Sequence, residues 1–178
     1  LSGDMGTDNG RVTMSGTFKT GYKPQTGAAR VAVSTAHGST YYYITNFTNG
    51  KKVAGVDDCI IQSWALNLEN PSEYVGFQGT NADPEAIVRA IPEINATLDT
   101  TVKMDNNTGG LHATFLAGTE VENILSNHNT WTSVTTFGMK ASYGRITSVA
   151  FNESAAMYID VSQKLLAHTS GDIIQIVA

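Results

Sequence analysis

The chain has 178 residues, 15% of them charged and 41% hydrophobic, and its formal net charge is −5. This length predicts one compact domain over residues 1–178. With only 11 Lys and Arg, the acidic balance argues against sequence-independent nucleic-acid binding, which needs clustered cations. No run approaches the roughly 18 apolar residues of a membrane helix, so we expect no membrane partner. The sequence opens with Leu1 rather than Met, and we expect that residues have been removed before it.

Alternating apolar and polar residues, the pattern of half-buried strands, recur along the whole chain. The alternation runs through residues 12–18, 30–34, 41–47, 60–68, 74–77, 94–104, 111–116, 131–137, 139–151, 157–161 and 173–177. Turn residues such as Asn49-Gly50 and Asn70-Pro71-Ser72 separate most of these runs. About ten short strands predict an all-β, mainly antiparallel fold, either a β-sandwich or a barrel.

The least regular stretch is 16–38, where Gly21, Pro24 and Gly27 break regular structure. A loop of this length within a compact domain is unusual unless it has a function. We therefore predict a long exposed loop or hairpin, called the arm below and defined as residues 18–38. The adjacent cations Lys51 and Lys52 follow a turn signal, and we predict that they lie in a solvated hairpin turn.

The single cysteine, Cys59, excludes an internal disulfide and a cysteine-based zinc cluster. Two isoleucines follow it directly in the sequence, which predicts a buried thiol.

The clearest strand covers residues 94–104. One face carries apolar residues, interrupted by Thr100, namely Ile94, Ala96, Leu98, Val102 and Met104. The other face carries polar residues, namely Asn95, Thr97, Asp99, Thr101 and Lys103. Because successive side chains of a strand point to opposite faces, one face should meet the core and the other water or a polar partner.

Two segments interrupt the strand pattern with helix signals. The sequence Thr119-Glu120-Val121-Glu122 is a capping box and predicts a helix that begins there. An apolar stripe at helical spacing follows it, formed by Val121, Ile124, Leu125 and His128. Asp83-Pro84 likewise places a capping residue before a proline and predicts a turn of helix that ends before Pro92.

The sequence carries no catalytic, nucleotide-binding or zinc-binding motif, so we expect no enzyme, no cofactor and no metal. The four histidines are scattered, at His37, His112, His128 and His168. Residues 105–110 begin like a calcium loop but lack ligands at its fifth and twelfth positions, so a hairpin turn is favoured. The carboxylates of Asp57-Asp58, and of Glu69 with Glu73, leave a glycosidase with a dispersed site open as an alternative.

Aromatic residues support another alternative. Side chains that can stack on sugars are Tyr41, Tyr42, Tyr43, Trp64 and Trp131. A secreted or surface-displayed β-sandwich that binds carbohydrate or mediates adhesion would use such residues.

The order of the predicted elements is more informative than any one motif. A strand over 58–69 is followed by an Asn-Pro-Ser turn, a return strand over 74–79, the strand over 94–104, a helix after Gly118 and strands near 145–151 and 157–164. This order resembles the tail tube (major tail) proteins of long-tailed bacteriophages, together with Cys59, Ser63, Leu66 and Leu68 in the first strand. Subunits of that family are β-sandwiches flanked by one helix and carry a long hairpin or loop.

The resemblance implies a structural virion protein of the phage tail. Its subunits would close into a ring of six, and stacked rings would form a tube, joined to other tail proteins, through which DNA passes without specific binding. Within this scheme we expect the polar face of residues 94–104 to line the bore. The arm would connect one ring to the next through Phe18, Lys19, Tyr22, Lys23 and Arg30.

Overall fold

The computed structural model describes residues 1–6, 10–17, 50–80, 83–90, 94–106, 108–126, 131, 138–152, 157–167 and 172–177. The strands are β1 (Ser2–Asp4), β2 (Gly50–Val53), β3 (Val56–Asp57), β4 (Ile61–Glu69), β5 (Ser72–Thr80), β6 (Asp83–Ala90), β7 (Asn95–Lys103), β8 (Glu120–Ser126), β9 (Gly138–Asn152), β10 (Tyr158–Leu166) and β11 (Gln175–Val177), and the helix is α1 (Leu111–Ala117). The prediction of a mainly antiparallel all-β fold with one short α-helix is confirmed.

Nine of these strands form one sheet in the order β1-β4-β7-β10-β9-β8-β2-β3, and β11 pairs with β9. The remaining strands, β5 and β6, form a separate two-stranded sheet. The chain divides into two compact units, one built from Leu1–Met14, Tyr41–Leu68 and Asn95–Ala178 and one from Ser15–Thr40 and Glu69–Ile94. The large sheet belongs to the first unit and the β5–β6 hairpin to the second. One domain over the whole chain stays a prediction.

Within the described residues, strands from across the large sheet contribute to one hydrophobic core. Val53 of β2 and Trp64 of β4 lie near opposite ends of the sheet order, yet both belong to the same cluster of buried side chains. Leu111, the first residue of α1, is also fully buried in this cluster. Burial of this apolar surface is the main favourable contribution to the stability of the unit.

The alternation predicted for β7 is present. Ala96, Leu98 and Val102 are buried, whereas Ile94 and Met104, at the two ends of the apolar face, are exposed. Thr100 is a polar residue within that buried face. Its hydroxyl is not left without a partner, because it donates a hydrogen bond to the Val161 carbonyl at 3.4 Å.

The helix predicted to begin at Thr119 is wrong. Gly118 instead ends α1 in a left-handed conformation, with φ of 63°, and its N–H donates to the Phe115 carbonyl. Residues 120–126 form β8, which pairs with β9 and β2. The misleading signal was the spacing of Val121 and Leu125, because positions four apart share a face in a helix and also in a strand.

The turn of helix predicted after Asp83 is also wrong, because the segment forms β6. Its register with β5 is continuous from Thr80 opposite Asp83 to Ser72 opposite Ala90, apart from a shift after Tyr74. Pro84 lacks a backbone N–H, but a strand of a two-stranded hairpin needs to hydrogen-bond on one side only.

Residues 108–110 form a 3-10 turn and residues 111–117 form α1, so the hairpin turn predicted at 105–110 and the strand pattern at 111–116 are wrong. Asp105 and Thr108 exchange bonds: the Thr108 N–H donates to Asp105 Oδ1 at 3.1 Å, and the Asp105 N–H donates to Thr108 Oγ1 at 2.9 Å. This pair starts a 3-10 turn that leads directly into α1. No helix in the described ranges is long and apolar enough to cross a membrane.

Lys51 and Lys52 lie within β2, not in a hairpin turn as predicted. The turn comes later, at Ala54 and Gly55, which have φ of 50° and 80°. This position is stabilised by the buried Asn123 side chain, whose Oδ1 accepts the Ala54 N–H at 2.8 Å.

Candidate functional site

A polar groove of about 710 Å³ opens on the outer face of the large sheet. Strands β1, β4, β7 and β10, which are neighbours in the sheet, supply most of its lining. Its lining residues are Ser2, Gly3, Asp4, Arg11, Thr13, Ser63, Trp64, Ala65, Asp99, Thr100, Thr101, Asn152, Asp160, Val161 and Ser162. This groove is the candidate site.

The predicted bore-lining residues share one face of β7 but do not all reach the groove. All five are half-buried or exposed and alternate with the buried positions, namely Asn95, Thr97, Asp99, Thr101 and Lys103. Of this set, Asp99 and Thr101 line the groove. In the register of the β7–β10 pair, Ser162 lies opposite Asp99 and Asp160 lies opposite Thr101. The register therefore decides which β10 residues stand beside these two groove residues.

The Asp160 carboxylate is fixed in the groove by two neighbouring strands. Thr101 Oγ1 donates to Asp160 Oδ1 at 2.7 Å, and Asn152 Nδ2 donates to Asp160 Oδ2 at 3.2 Å. These two hydrogen bonds restrict the rotation of the carboxylate. Sequence reasoning missed Asp160 and Asn152, because only the pairing of β10 with both neighbours brings them beside Thr101.

The wall formed by β1 is held by its own hydrogen bonds. Ser2 and Thr13 exchange two backbone bonds of 3.0 and 2.8 Å, so residues 11–13 extend the sheet beyond β1. The Asp4 carboxylate accepts the Gly6 N–H at 2.7 Å. With Arg11 also in the lining, the described residues of the groove include three aspartates and one arginine.

Trp64 contributes little surface to the groove. Its side chain is 2% exposed, because it is part of the core, and so it offers no ring face on which a sugar can stack. The prediction that Trp64 is an exposed aromatic is therefore wrong, and Trp131 is half-buried. Tyr41, Tyr42 and Tyr43 lie outside the described residues.

Cys59 is buried, as predicted. Burial raises the pKa of the thiol to about 11. Its Sγ lies 3.4 Å from the Val56 carbonyl oxygen, to which it donates. Within the ranges that the structure describes, no three His, Cys, Asp or Glu side chains come together as a metal site.

A second notable surface, the apolar end patch, consists of Ile60, Met104, Phe151 and Met157. These four side chains are 40% to 65% exposed. They lie at the same end of four adjacent strands, since Ile60 precedes β4, Met104 follows β7, Met157 precedes β10 and Phe151 is near the end of β9. The Met104 N–H donates to the Met157 carbonyl at 2.9 Å, which holds these two segments together.

An ion network lies further along the order of strands in the large sheet, on β2, β8 and β9. Glu122 contacts the ammonium groups of Lys140 at 2.9 Å and Lys52 at 3.3 Å. Partial burial of the Glu122 carboxyl opposes its ionisation, but the hydrogen bonds and charges of the two lysines outweigh this, so its pKa lies below the usual value. Sequence reasoning did not predict this network, because it placed Glu122 in a helix rather than in a strand between β2 and β9.

The predicted ring-connecting residues Phe18, Lys19, Tyr22, Lys23 and Arg30 all lie outside the described residues.

No protein-family model and no curated protein matches the sequence. Among solved structures, the chain is similar to the "tail of empty GTA particle", obtained by helical refinement with C6 symmetry. The similarity covers 71% of this chain and 86% of that chain, with 7% sequence identity and a TM-score of 0.47. The resemblance in fold is therefore distant.

Proposed function

We propose that this chain is a structural subunit of a phage tail tube. Six copies close into a ring, and rings stack into a tube within the virion through which DNA passes. The chain performs no catalysis in this role and needs no cofactor. The observation that supports self-assembly best is the apolar end patch.

The apolar end patch has the composition of a contact surface. Exposed hydrophobic side chains are ordinary when scattered, but a group on adjacent strands is typical of an interaction site. Methionine and phenylalanine are both enriched at protein interfaces. Covering Ile60, Met104, Phe151 and Met157 with a neighbouring subunit would remove this apolar surface from water.

The sheet edges favour side-chain contacts over backbone pairing as the basis of the ring. Among the described residues, the edge strands of the large sheet, β1 and β3, have three and two residues. Edges this short present few unpaired backbone groups to a neighbour. We therefore expect the apolar end patch to contribute more to ring contacts than edge-to-edge pairing.

The polar face of β7 is our candidate for the wall of the bore. Asp99 and the neighbouring Asp160 are both on the groove side of the sheet. Fixed carboxylates repel phosphates over roughly 8 Å at physiological salt, so DNA would pass without adhering. Other tail proteins are further partners in this proposal.

Negative-stain electron microscopy of the purified chain tests the proposal. We expect rings or tubes from the natural sequence and dispersed monomers from the double variant Phe151→Ser/Met157→Ser. Met14→Ser is the matched control, because Met14 is 82% exposed but lies away from the apolar end patch. A natural chain that stays monomeric at every concentration contradicts the proposal.

A further inference from the structure

Two of the four residues of the apolar end patch are methionines that lie next to each other. The Met104 N–H donates to the Met157 carbonyl at 2.9 Å, which continues the register of the β7–β10 pair by one position. Two positions from them, Val102 of β7 lies opposite Ile159 of β10, and both of these are buried in the core. The methionine pair, defined as Met104 and Met157, therefore lies where the core meets solvent.

The five methionines of the sequence differ in exposure. Met139 on β9 is fully buried, whereas both members of the methionine pair are exposed. Met5 and Met14 are the other exposed methionines. Because an oxidant must reach the sulfur atom, exposed thioethers react before buried ones. The methionine pair is therefore open to oxidation in the free subunit, and Met139 is protected.

Oxidation of a thioether by a peroxide changes its polarity. The sulfur attacks one oxygen of hydrogen peroxide, the O–O bond breaks, and the departing hydroxide takes the proton of the transferred oxygen and leaves as water. Sulfur is oxidised by two electrons, and the peroxide is reduced by two. The product, methionine sulfoxide, is polar. Burying such a group without a hydrogen-bond partner is unfavourable.

We infer that the methionine pair is a reversible oxidation site that controls the apolar end patch. In the thioether form the patch is apolar, and a second copy of the chain can cover it. In the sulfoxide form two of its four side chains are polar, so the contact is weakened. This consequence for assembly rests on the proposed function. Methionine sulfoxide reductases convert the sulfoxide back to the thioether, so the change can be reversed.

No other group of the apolar end patch can take part in this reaction. Its other members, Ile60 and Phe151, contain no sulfur. The single cysteine, Cys59, directly precedes Ile60 in the sequence but is fully buried. Oxidation at sulfur within the patch is therefore limited to the methionine pair.

Treatment of the purified full chain with hydrogen peroxide tests this inference. The natural chain, Met104→Leu/Met157→Leu and the control Met14→Leu are each compared with their own untreated form by analytical ultracentrifugation. We expect oxidation to weaken association at least about tenfold in the natural chain and in Met14→Leu, and to change it less than about twofold in Met104→Leu/Met157→Leu. Sulfoxide reductases should restore association of the natural chain. Equal losses in all three chains would assign the effect to another residue and overturn the inference.

Peptide mass spectrometry measures the oxidation rate at each methionine. In the free subunit, Met104 and Met157 should react at least about tenfold faster than Met139, which should react fully only after unfolding in urea. In assembled rings both members of the methionine pair should be protected, while Met14 stays reactive. Equal rates for the pair in free subunits and in rings would show that another surface forms the contact, which overturns the inference.

A dye-binding measurement separates the inference from the proposed function, because it does not need rings. Anilinonaphthalene sulfonate binds exposed apolar surface and fluoresces there. At a dilution where the chain is monomeric, oxidation should reduce this fluorescence in the natural chain but not in Met104→Leu/Met157→Leu. Unchanged dye binding and unchanged association, with both methionines converted to sulfoxide, overturn the inference even if rings form. Reduced dye binding by a chain that never associates keeps the oxidation site and rejects the ring.

Discussion

The side chains of Asn123 and Gln163 exchange two hydrogen bonds inside the core, directly over Gly144. Asn123 Nδ2 donates to Gln163 Oε1 at 2.9 Å, and Gln163 Nε2 donates to Asn123 Oδ1 at 3.0 Å. Both residues are fully buried. Each follows a register shift, in β8 after Val121 and in β10 after Ser162. The amide pair therefore connects two strands that are separated by β9.

Removing the amide of Gln163 should destabilise the subunit, because the buried Asn123 amide then loses its partner. Gln163→Ala deprives the buried Asn123 side chain of both hydrogen bonds to its partner, and an unsatisfied buried polar group costs about 1–3 kcal/mol. The free energy of unfolding, measured in urea, should fall by about this amount plus the loss of packing. Gln175→Ala on the exposed β11 is the control and should change it by less than about 0.5 kcal/mol. Equal effects at the two positions would contradict the role of the pair.

Gly144 should not tolerate a side chain. A Cβ atom there would lie 2.9 Å from both Asn123 Nδ2 and Gln163 Oε1 and 3.3 Å from Leu165 Cδ2. Gly144→Ala must displace the amide pair, and overpacking of this kind costs about 1–3 kcal/mol. Gly109→Ala is the matched control, because a Cβ at that position meets no atom within 4 Å. Thermal unfolding of the two variants is the comparison, and similar melting temperatures would argue against close packing at Gly144.

The Glu122 network predicts a specific pH dependence. Because the pKa of Glu122 is lowered in the folded chain, its contribution is present above the unfolded-state pKa and is lost as pH falls through the folded-state pKa. Glu122→Gln should thus reduce stability near neutral pH, by less than about 1 kcal/mol for a partly exposed pair, and the difference should vanish in acid. Urea unfolding of the natural chain and of Glu122→Gln over a series of pH values measures this difference in stability. Glu120→Gln, on the same strand, is the control.

Cys59 should be unreactive in the folded chain. Its pKa of about 11 leaves little thiolate at neutral pH, and the thiolate is the reactive form. A thiol-specific reagent should modify Cys59 only after unfolding in urea. Cys59→Ser should cost on the order of 1 kcal/mol and leave assembly unchanged. An intersubunit disulfide band on a nonreducing gel would contradict this prediction.

Thr97 allows the proposed bore-lining role of the polar face of β7 to be tested without changing the groove. Thr97 is exposed on the polar face of β7 but does not line the groove. Thr97→Lys should leave stacking intact and slow the passage of DNA, because added cations bind phosphates in a salt-dependent manner. Thr97→Gln is the neutral control. Particles of both variants that eject DNA at the same rate at low and high salt would reject the bore assignment.

Sequence patterns predicted the features of this fold that depend on neighbouring positions. The alternation along residues 94–104 identified both faces of β7, and the apolar residues beside Cys59 indicated its burial. The helix was misplaced because its signals were ambiguous at short range. Val121 and Leu125 fit a strand as well as a helix, and Gly118, after which the helix was predicted to begin, is where α1 ends.

The candidate site required information that a single segment does not contain. Asp160 lies beside Thr101 only because β7 and β10 pair in one register. The pairing of Asn123 with Gln163 depends further on two register shifts, which alternation along one strand does not indicate. Asp99 and Thr101 were found because they share a strand, whereas the opposing wall of the groove comes from residues near the start of the chain, in β1 and at Arg11 and Thr13.

In the proposed assembly, the apolar end patch would give folding and association a common thermodynamic basis. Met104 comes directly after β7, two positions beyond the buried Val102, and Phe151 lies opposite the buried Ile159, so both continue the apolar face of the core to the surface. A neighbouring copy that covers them extends the core of one subunit into the next. Association then favours the folded state by mass action, and the melting temperature should rise with protein concentration. In such a chain, a substitution deep in the core and one at the contact surface would change the same equilibrium.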